Sequence, residues 1–159
     1  MLYTGRHELT IDEKKRLSIP ASIRNAMDRD KDGTGFYLVL GDQPRTLSLF
    51  ANRYFLRYAK RLANEMAPGA ERAMFEKVFY SHCEELEIDK QGRVVLPEYM
   101  LEAAKLGRSV CLTGSRDHLD LWNRDDYEAF IAQNRDQMME LQRKARQALT
   151  QMGRDRRTD

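Results

Sequence analysis

Cysteine is scarce in this chain, with only Cys83 and Cys111 among 159 residues. Two thiols this far apart cannot build the disulfide framework of a small secreted domain, and they suit a reducing compartment. Long apolar runs are also missing. No stretch approaches the roughly 18 apolar residues of a membrane-spanning helix. The opening Met1-Leu2-Tyr3-Thr4-Gly5-Arg6-His7 has no apolar signal core. Together these absences predict a soluble cytoplasmic protein. An excess of one charge sign is lacking as well: 27 Lys and Arg against 25 Asp and Glu leave a net charge of +2, although 33% of residues are charged. No global basic field draws the chain to nucleic acid, so any such binding depends on local patches.

Signatures of catalysis and cofactor binding are missing too. There is no phosphate-binding Gly-rich loop, no dinucleotide fingerprint and no Gly-x-Ser-x-Gly elbow. Asp28-Arg29-Asp30-Lys31-Asp32-Gly33 imitates the start of a calcium loop, but its twelfth position is Val39, where a bidentate Glu is needed. His82 and Cys83 are adjacent, while His7 and His118 lie far off, so no spacing resembles a zinc site. The expectation is a protein that is not an enzyme and holds no cofactor or metal.

What the chain does have is a repeat. Ile11, Asp12, Arg16 and Pro20 recur 77 positions later as Ile88, Asp89, Arg93 and Pro97, and Glu8-Leu9 recurs as Glu85-Leu86. Downstream, Val39-Leu40-Gly41 matches Leu112-Thr113-Gly114, and Leu47-Ser48-Leu49-Phe50 matches Leu119-Asp120-Leu121-Trp122 with the offset now 72. An internal duplication says how many units exist and what each must contain. Units of about 65 residues are close to the lower limit for independent cores. They are therefore expected to share one core or to oligomerise.

Each half has the same local plan. His7 to Asp12 alternates apolar and polar, Asp12 to Lys15 is a polar turn, and Arg16 to Ile19 alternates again, so the segment is a hairpin. Pro20 lacks a ladder donor, ends the strand and opens a short helix to Met27. In the second half the hairpin spans Leu86 to Leu96, and Pro97 precedes a helix over Glu98–Lys105 closed by Gly107. Gly92 supplies a turn residue tolerant of positive φ. Phe36 to Leu40 and Leu47 to Phe50 form a strand pair, as do Val110 to Thr113 and Leu119 to Trp122. Helices are predicted over Asn52–Met66, over Ala70–Tyr80 and from Arg124 into the tail. There Met138, Leu141, Ala145, Ala148 and Met152 recur at spacings of three and four. The last residues, Gly153 to Asp159, are polar and expected to fray. The predicted divisions are a first module over 1–66, a connecting helix over 67–81, a second module over 82–135 and a tail over 136–159.

The Asp-x-x-x-Arg turn is the strongest candidate site. It holds Asp12, Lys14, Lys15 and Arg16 in the first half, and Asp89, Lys90 and Arg93 in the second. Lysine acts as a point charge on phosphate, and arginine presents a fork that matches guanine O6 and N7. Asp12 and Asp89 either hold the arginine fork or accept turn N–H groups. A hairpin-stabilising ion pair on a solvated loop explains the same residues equally well.

The duplicated hairpin resembles the SpoVT/AbrB family of swapped-hairpin DNA-binding domains, and the tandem arrangement resembles one bacterial branch of it. Asp89-Lys90-Gln91-Gly92-Arg93-Val94-Val95-Leu96-Pro97 fits the family's opening pattern closely. The first copy, Asp12-Glu13-Lys14-Lys15-Arg16-Leu17-Ser18-Ile19-Pro20, departs from it by placing Lys15 where glycine is usual. The likeness covers about residues 1–135. It implies an α+β fold of duplicated swapped-hairpin modules in one pseudo-twofold, barrel-like unit with flanking helices. It also implies a nucleoid-associated transcriptional regulator, assembled as a ring, that binds repeated operator boxes in double-stranded DNA near its own cell-division and cell-wall genes. On that basis Arg16, Lys14, Lys15, Arg93 and Lys90 are expected at the DNA, with Asp12 and Asp89 organising the turns. The competing reading is an oligomeric assembly protein whose Asp-x-x-x-Arg turns are subunit contacts.

Overall fold

A computed structural model describes residues 1–155, so the polar end Arg156–Asp159, part of the stretch expected to fray, lies outside the described residues. The fold is mixed α+β with antiparallel pairing throughout. In chain order the elements are β1 (Arg6–Thr10), β2 (Arg16–Ser18), α1 (Ala21–Ala26), β3 (Gly35–Leu40), β4 (Thr46–Ala51), α2 (Asn52–Glu65) and α3 (Ala70–Ser81). There follow β5 (Cys83–Glu87), β6 (Arg93–Val95), α4 (Glu98–Ala103), β7 (Ser109–Gly114), β8 (Leu119–Asn123) and α5 (Arg124–Asp155). Residues 1–124 form one compact unit and 125–159 a second. Among the described residues no helix is long and apolar enough to cross a membrane.

Strands from both halves of the chain interleave. The six-stranded sheet runs β1-β7-β8-β4-β3-β5, and β2 pairs with β6 in a separate two-stranded ladder. Exchanging the halves, β1 for β5, β7 for β3 and β8 for β4, maps the order onto itself. The short ladder behaves in the same way. Leu17 lies opposite Val94, Arg16 opposite Val95 and Ser18 opposite Arg93. The flanking bonds are also reciprocal, from Ile19 N–H to the Gly92 carbonyl and from Leu96 N–H to the Lys15 carbonyl, each 2.8 Å.

The alternation read in the sequence decides which face each strand buries. Phe36, Leu38, Leu47, Leu49, Leu112, Leu119 and Leu121 line one face of the sheet. Leu17, Val94, Ile19, Leu96, Ile23 and Met100 close over them from the β2–β6 ladder, the segments that follow it and the short helices. On the other face Val39, Phe50 and Phe55 make a smaller aromatic core with Tyr37, Tyr54, Tyr58 and Phe79, so β4 is buried on both sides. That second face also holds a polar network. Ser48 Oγ donates to Asp120 Oδ1 at 2.8 Å and Ser115 Oγ to Asp120 Oδ2 at 2.5 Å. His118 Nε2 lies 3.2 Å from Asp120 Oδ1, and its Nδ1 lies 2.7 Å from Asp117 Oδ1. Tyr54 OH donates to Asp117 Oδ2 at 2.8 Å, and the imidazole stacks on Phe50 with 4.7 Å between ring centres.

Three expected details change. The strands on either side of each Asp-x-x-x-Arg turn do not pair with each other as a hairpin: β1 pairs with β7, β5 with β3, and β2 with β6 across the halves, where their apolar residues find a shared core. The ladder registers set Leu38 opposite Glu84 and Leu112 opposite His7. Leu38 therefore corresponds to Leu112, one residue away from the match of Val39 with Leu112. A one-residue slip would turn buried side chains to the other face, so burial decides the register. Helix α4 is not closed by Gly107. Lys105 takes the left-handed conformation at φ 51°, with Leu106 N–H bonded to the Leu101 carbonyl and Lys105 N–H to that of Glu102, a Schellman ending.

Candidate nucleic-acid interface

Both Asp-x-x-x-Arg turns are built the same way. In the first, Asp12 Oδ1 accepts the N–H groups of Lys14 and Arg16, each at 2.9 Å, and Oδ2 accepts Arg16 Nε at 2.6 Å. In the second, Asp89 Oδ1 accepts the N–H groups of Gln91 and Arg93, each at 2.9 Å, and Oδ2 accepts Arg93 Nε at 3.0 Å. The backbone closes each turn alike, from Lys15 N–H to the Asp12 carbonyl and from Gly92 N–H to that of Asp89, both 3.0 Å. The Arg16 N–H bond, with further help from the arginine side chain, holds the Asp12 carboxyl below its usual range against the opposing effect of burial. The Arg93 N–H bond does the same for Asp89. Each aspartate therefore stays ionised, accepts the turn N–H groups and grips its arginine through Nε at once.

Sequence reasoning placed glycine tolerance at Gly92 and a departure at Lys15. Gly92 has φ 80°, and Lys15 has φ 61° with the same hydrogen bonds, so the first turn keeps its shape by holding a lysine left-handed. A Cβ on Gly92 would stand 2.5 Å from Arg24 Cζ, because the α1 arginine of the first half lies over the second turn. Gly92→Ala is expected to destabilise by about 1–2 kcal/mol, from left-handed strain and from displacing Arg24. Lys15→Gly should be near neutral, because relieved strain offsets the extra unfolded-chain entropy. Urea midpoints at unchanged slope would check both.

The β2–β6 ladder aims the two arginines. Leu17 and Val94 are fully buried, so Arg16, Ser18, Arg93 and Val95, one residue to either side, point to the opposite face. Arg16 and Arg93 lie two positions apart across the ladder, roughly 8 Å between Cα atoms from strand rise and spacing. Their side chains remain 28% and 26% exposed. Lys14, Lys15 and Lys90 are exposed beside them. The structure thus brings both predicted turns to one solvent face.

Two further cations join this surface that the sequence reading did not single out. Arg24 Nε donates to the Ile19 carbonyl at 2.9 Å, and Arg108 Nε donates to the Ile11 carbonyl at 3.1 Å. Both stand beside the turn of the other half of the chain. Arg108 lies 97 residues from Ile11, and no local spacing signals such a neighbour.

Comparison with known proteins adds a family to this geometry. Residues 79–150 match the family described as "MraZ protein, putative antitoxin-like". The chain is 32% identical over 131 residues to the transcriptional regulator MraZ of Mycoplasmopsis pulmonis, covering 82% of this chain and 84% of that one. It is 31% identical over 133 residues to the Neisseria meningitidis protein of the same name, covering 83% and 87%. The chain belongs to the MraZ family. A third MraZ, from Salinispora tropica, is 29% identical over 142 residues, covering 89% of this chain and 95% of its own length. The family match takes in the second turn, and the relatives extend the likeness across both halves.

Proposed function

We propose that this MraZ-family chain is a sequence-specific regulator of transcription that binds double-stranded DNA through the face carrying Arg16 and Arg93. The observation that carries the reading is the pair of arginines on one exposed ladder face, each fixed through Nε by an aspartate. A guanidinium held through Nε keeps its two Nη groups for a ligand, and that fork matches guanine O6 and N7 in the major groove. Lys14, Lys15 and Lys90 supply phosphate contacts, and Arg24 adds charge beside the second turn. Asp12 and Asp89 organise the turns and do not touch DNA.

The interleaved strands support reading the halves, 1–66 and 82–135, as duplicated swapped-hairpin modules around a pseudo-twofold axis, joined through 67–81. A ring of subunits would present many such faces to repeated operator boxes. Effective concentration, and not a strong overall field, would then give affinity to a chain of net charge +2. A mobility shift at stated salt on the DNA upstream of the chain's own gene, against scrambled DNA, tests this. Saturable retardation of the native fragment alone supports the regulator. Equal retardation of both, or none, favours the reading in which the turns are subunit contacts.

The tail has its own test. Helix α5 spans 32 residues, and Met138, Leu141 and Met152 on its apolar spacing are 41%, 61% and 59% exposed. A stripe of this kind on a long helix is stabilised by a partner surface. Leu141→Asp is expected to lower the sedimentation mass of the assembly. Unchanged size, melting temperature and DNA binding would make the segment 136–159 a solvated appendage.

A further inference from the structure

We infer that Arg108, a residue of the second half of the chain, is a DNA-backbone contact of the first turn. The inference rests on the DNA-binding reading above. Arg108 is tied to the first turn twice. Its carbonyl accepts the Ile11 N–H at 2.9 Å, and its Nε donates to the Ile11 carbonyl at 3.1 Å. Ile11 directly precedes Asp12, so this arginine is anchored at the base of the turn. It lines one cleft together with Asp12, Glu13, Lys14 and Arg16. Its remaining guanidinium nitrogens have no hydrogen bond or ion pair among the described residues, although Glu13 and Asp12 line the same cleft. The anchoring matches that of Arg16, which is also held through Nε with its fork left over.

At the second turn the flanking charge comes from other positions, since Arg24 and Arg29 line one cleft with Asp89 and Lys90. Continued by one residue past the pairs Thr10 with Ser109 and Glu87 with Gly35, the ladder registers set Ile11 against Arg108 and Ile88 against Thr34. The residue equivalent to Arg108 is therefore the neutral Thr34, in a cleft that Arg24 and Arg29 also line. The first turn gathers Lys14, Lys15, Arg16 and Arg108 beside Glu13, and the second gathers Lys90 and Arg93 with Arg24 over Gly92 and Arg29 in the same cleft. A guanidinium fork with two free nitrogens beside a cationic turn fits a phosphate in bidentate fashion. Because Arg108 starts from the base of the turn and Arg16 from its exposed ladder face, the two can reach a phosphate and a base edge of one site.

The test measures binding of full-length Arg108→Ala and Arg108→Gln to the native upstream duplex and to a scrambled duplex, over a range of salt. Arg16→Ala is run alongside, and oligomer size and melting temperature are recorded. Glutamine can still donate to the Ile11 carbonyl but carries no charge. Both Arg108 variants are expected to bind roughly tenfold more weakly at about 0.1 M salt, on both duplexes, with the salt slope reduced by about 1 per engaged subunit. Wild-type affinity and slope for Arg108→Gln would overturn the contact and leave Arg108 as a brace for Ile11. A loss confined to the native duplex at unchanged slope would overturn the assignment to phosphate. If Arg16→Ala weakens binding while both Arg108 variants match wild type, this inference fails and the DNA reading stands. If all three match wild type with the oligomer intact, the DNA reading fails.

Discussion

Arg16→Ala is expected to cost about 1–3 kcal/mol of discrimination between the native and scrambled sites, a 5- to 150-fold fall in specificity. Arg93→Ala should do the same to a smaller degree. The ranking follows from the surroundings of each turn. Arg16 has Lys14 and Lys15 on its own turn where Arg93 has Lys90, while Arg108 flanks the first turn and Arg24 and Arg29 flank the second. The mechanism is pre-organisation. Asp12 Oδ2 holds Arg16 Nε at 2.6 Å on a turn that Asp12 Oδ1 also fixes, so little side-chain freedom remains to be lost on binding. Asp12→Asn should therefore lower affinity without touching DNA, since an amide cannot accept all these bonds with full charge. Lys14→Ala should instead weaken native and scrambled DNA alike and reduce the salt slope by about 1. Titrations of each variant at several salt concentrations separate these outcomes. Unchanged affinity and specificity for both Arg16→Ala and Arg93→Ala, with the oligomer intact, would make the repeated arginine structural.

How much of this was legible in the sequence depends on the range of the interaction. The turns were readable because the bonds of each aspartate all lie within five residues: an aspartate, two N–H groups and an arginine at i+4. The sequence left open whether the aspartate grips the arginine or the turn backbone, and the structure shows one carboxylate doing both. The strand faces followed from alternation, but the match of β3 to β7 slipped by a residue. Short apolar runs such as Phe36-Tyr37-Leu38-Val39-Leu40 fit either face until a neighbouring strand fixes them. Closing α4 at Gly107 gave glycine too much weight, since Lys105 takes the left-handed place. Arg108 was out of reach because its partner Ile11 belongs to the other half of the chain, and Arg24, bonded locally to Ile19, because the turn it covers does. The interleaving of β1 with β7 and of β2 with β6 brings them there. The network around Asp120 went unseen for the same reason, since Ser48 and Asp120 are 72 residues apart.

That network carries the second large expected effect, a loss of stability as pH rises from about 6.5 to 9. The hydrogen bond to Asp120, aided by the one to Asp117 and opposed by burial, pushes His118 from its ordinary 6.5 up to about 9. Burial pushes Asp120 up, but its bonds from His118, Ser115 and Ser48 outweigh it and leave the carboxyl below its ordinary value. The imidazolium is thus the form the fold binds. A group raised on folding contributes its full stability below its unfolded pKa, and that contribution disappears as pH climbs through the folded value. The displacement corresponds to about 3 kcal/mol, the side chain being only 23% exposed. For a chain of this length that is about 6–12 °C in melting temperature. Other shifted groups stay outside this window: the carboxylates titrate in acid, and Cys83 is pushed to about 11. His118→Asn removes the titration and should flatten the profile between pH 6.5 and 9, while lowering stability at pH 6 because Asp120 keeps its buried charge without its cation. Melting curves of the wild type and His118→Asn across that range decide it. A wild-type melting temperature that is level from pH 6.5 to 9 would mean that the imidazole is neutral in the folded protein. Asp120 would then have Ser48, Ser115 and at most one neutral imidazole N–H, with no cation beside it.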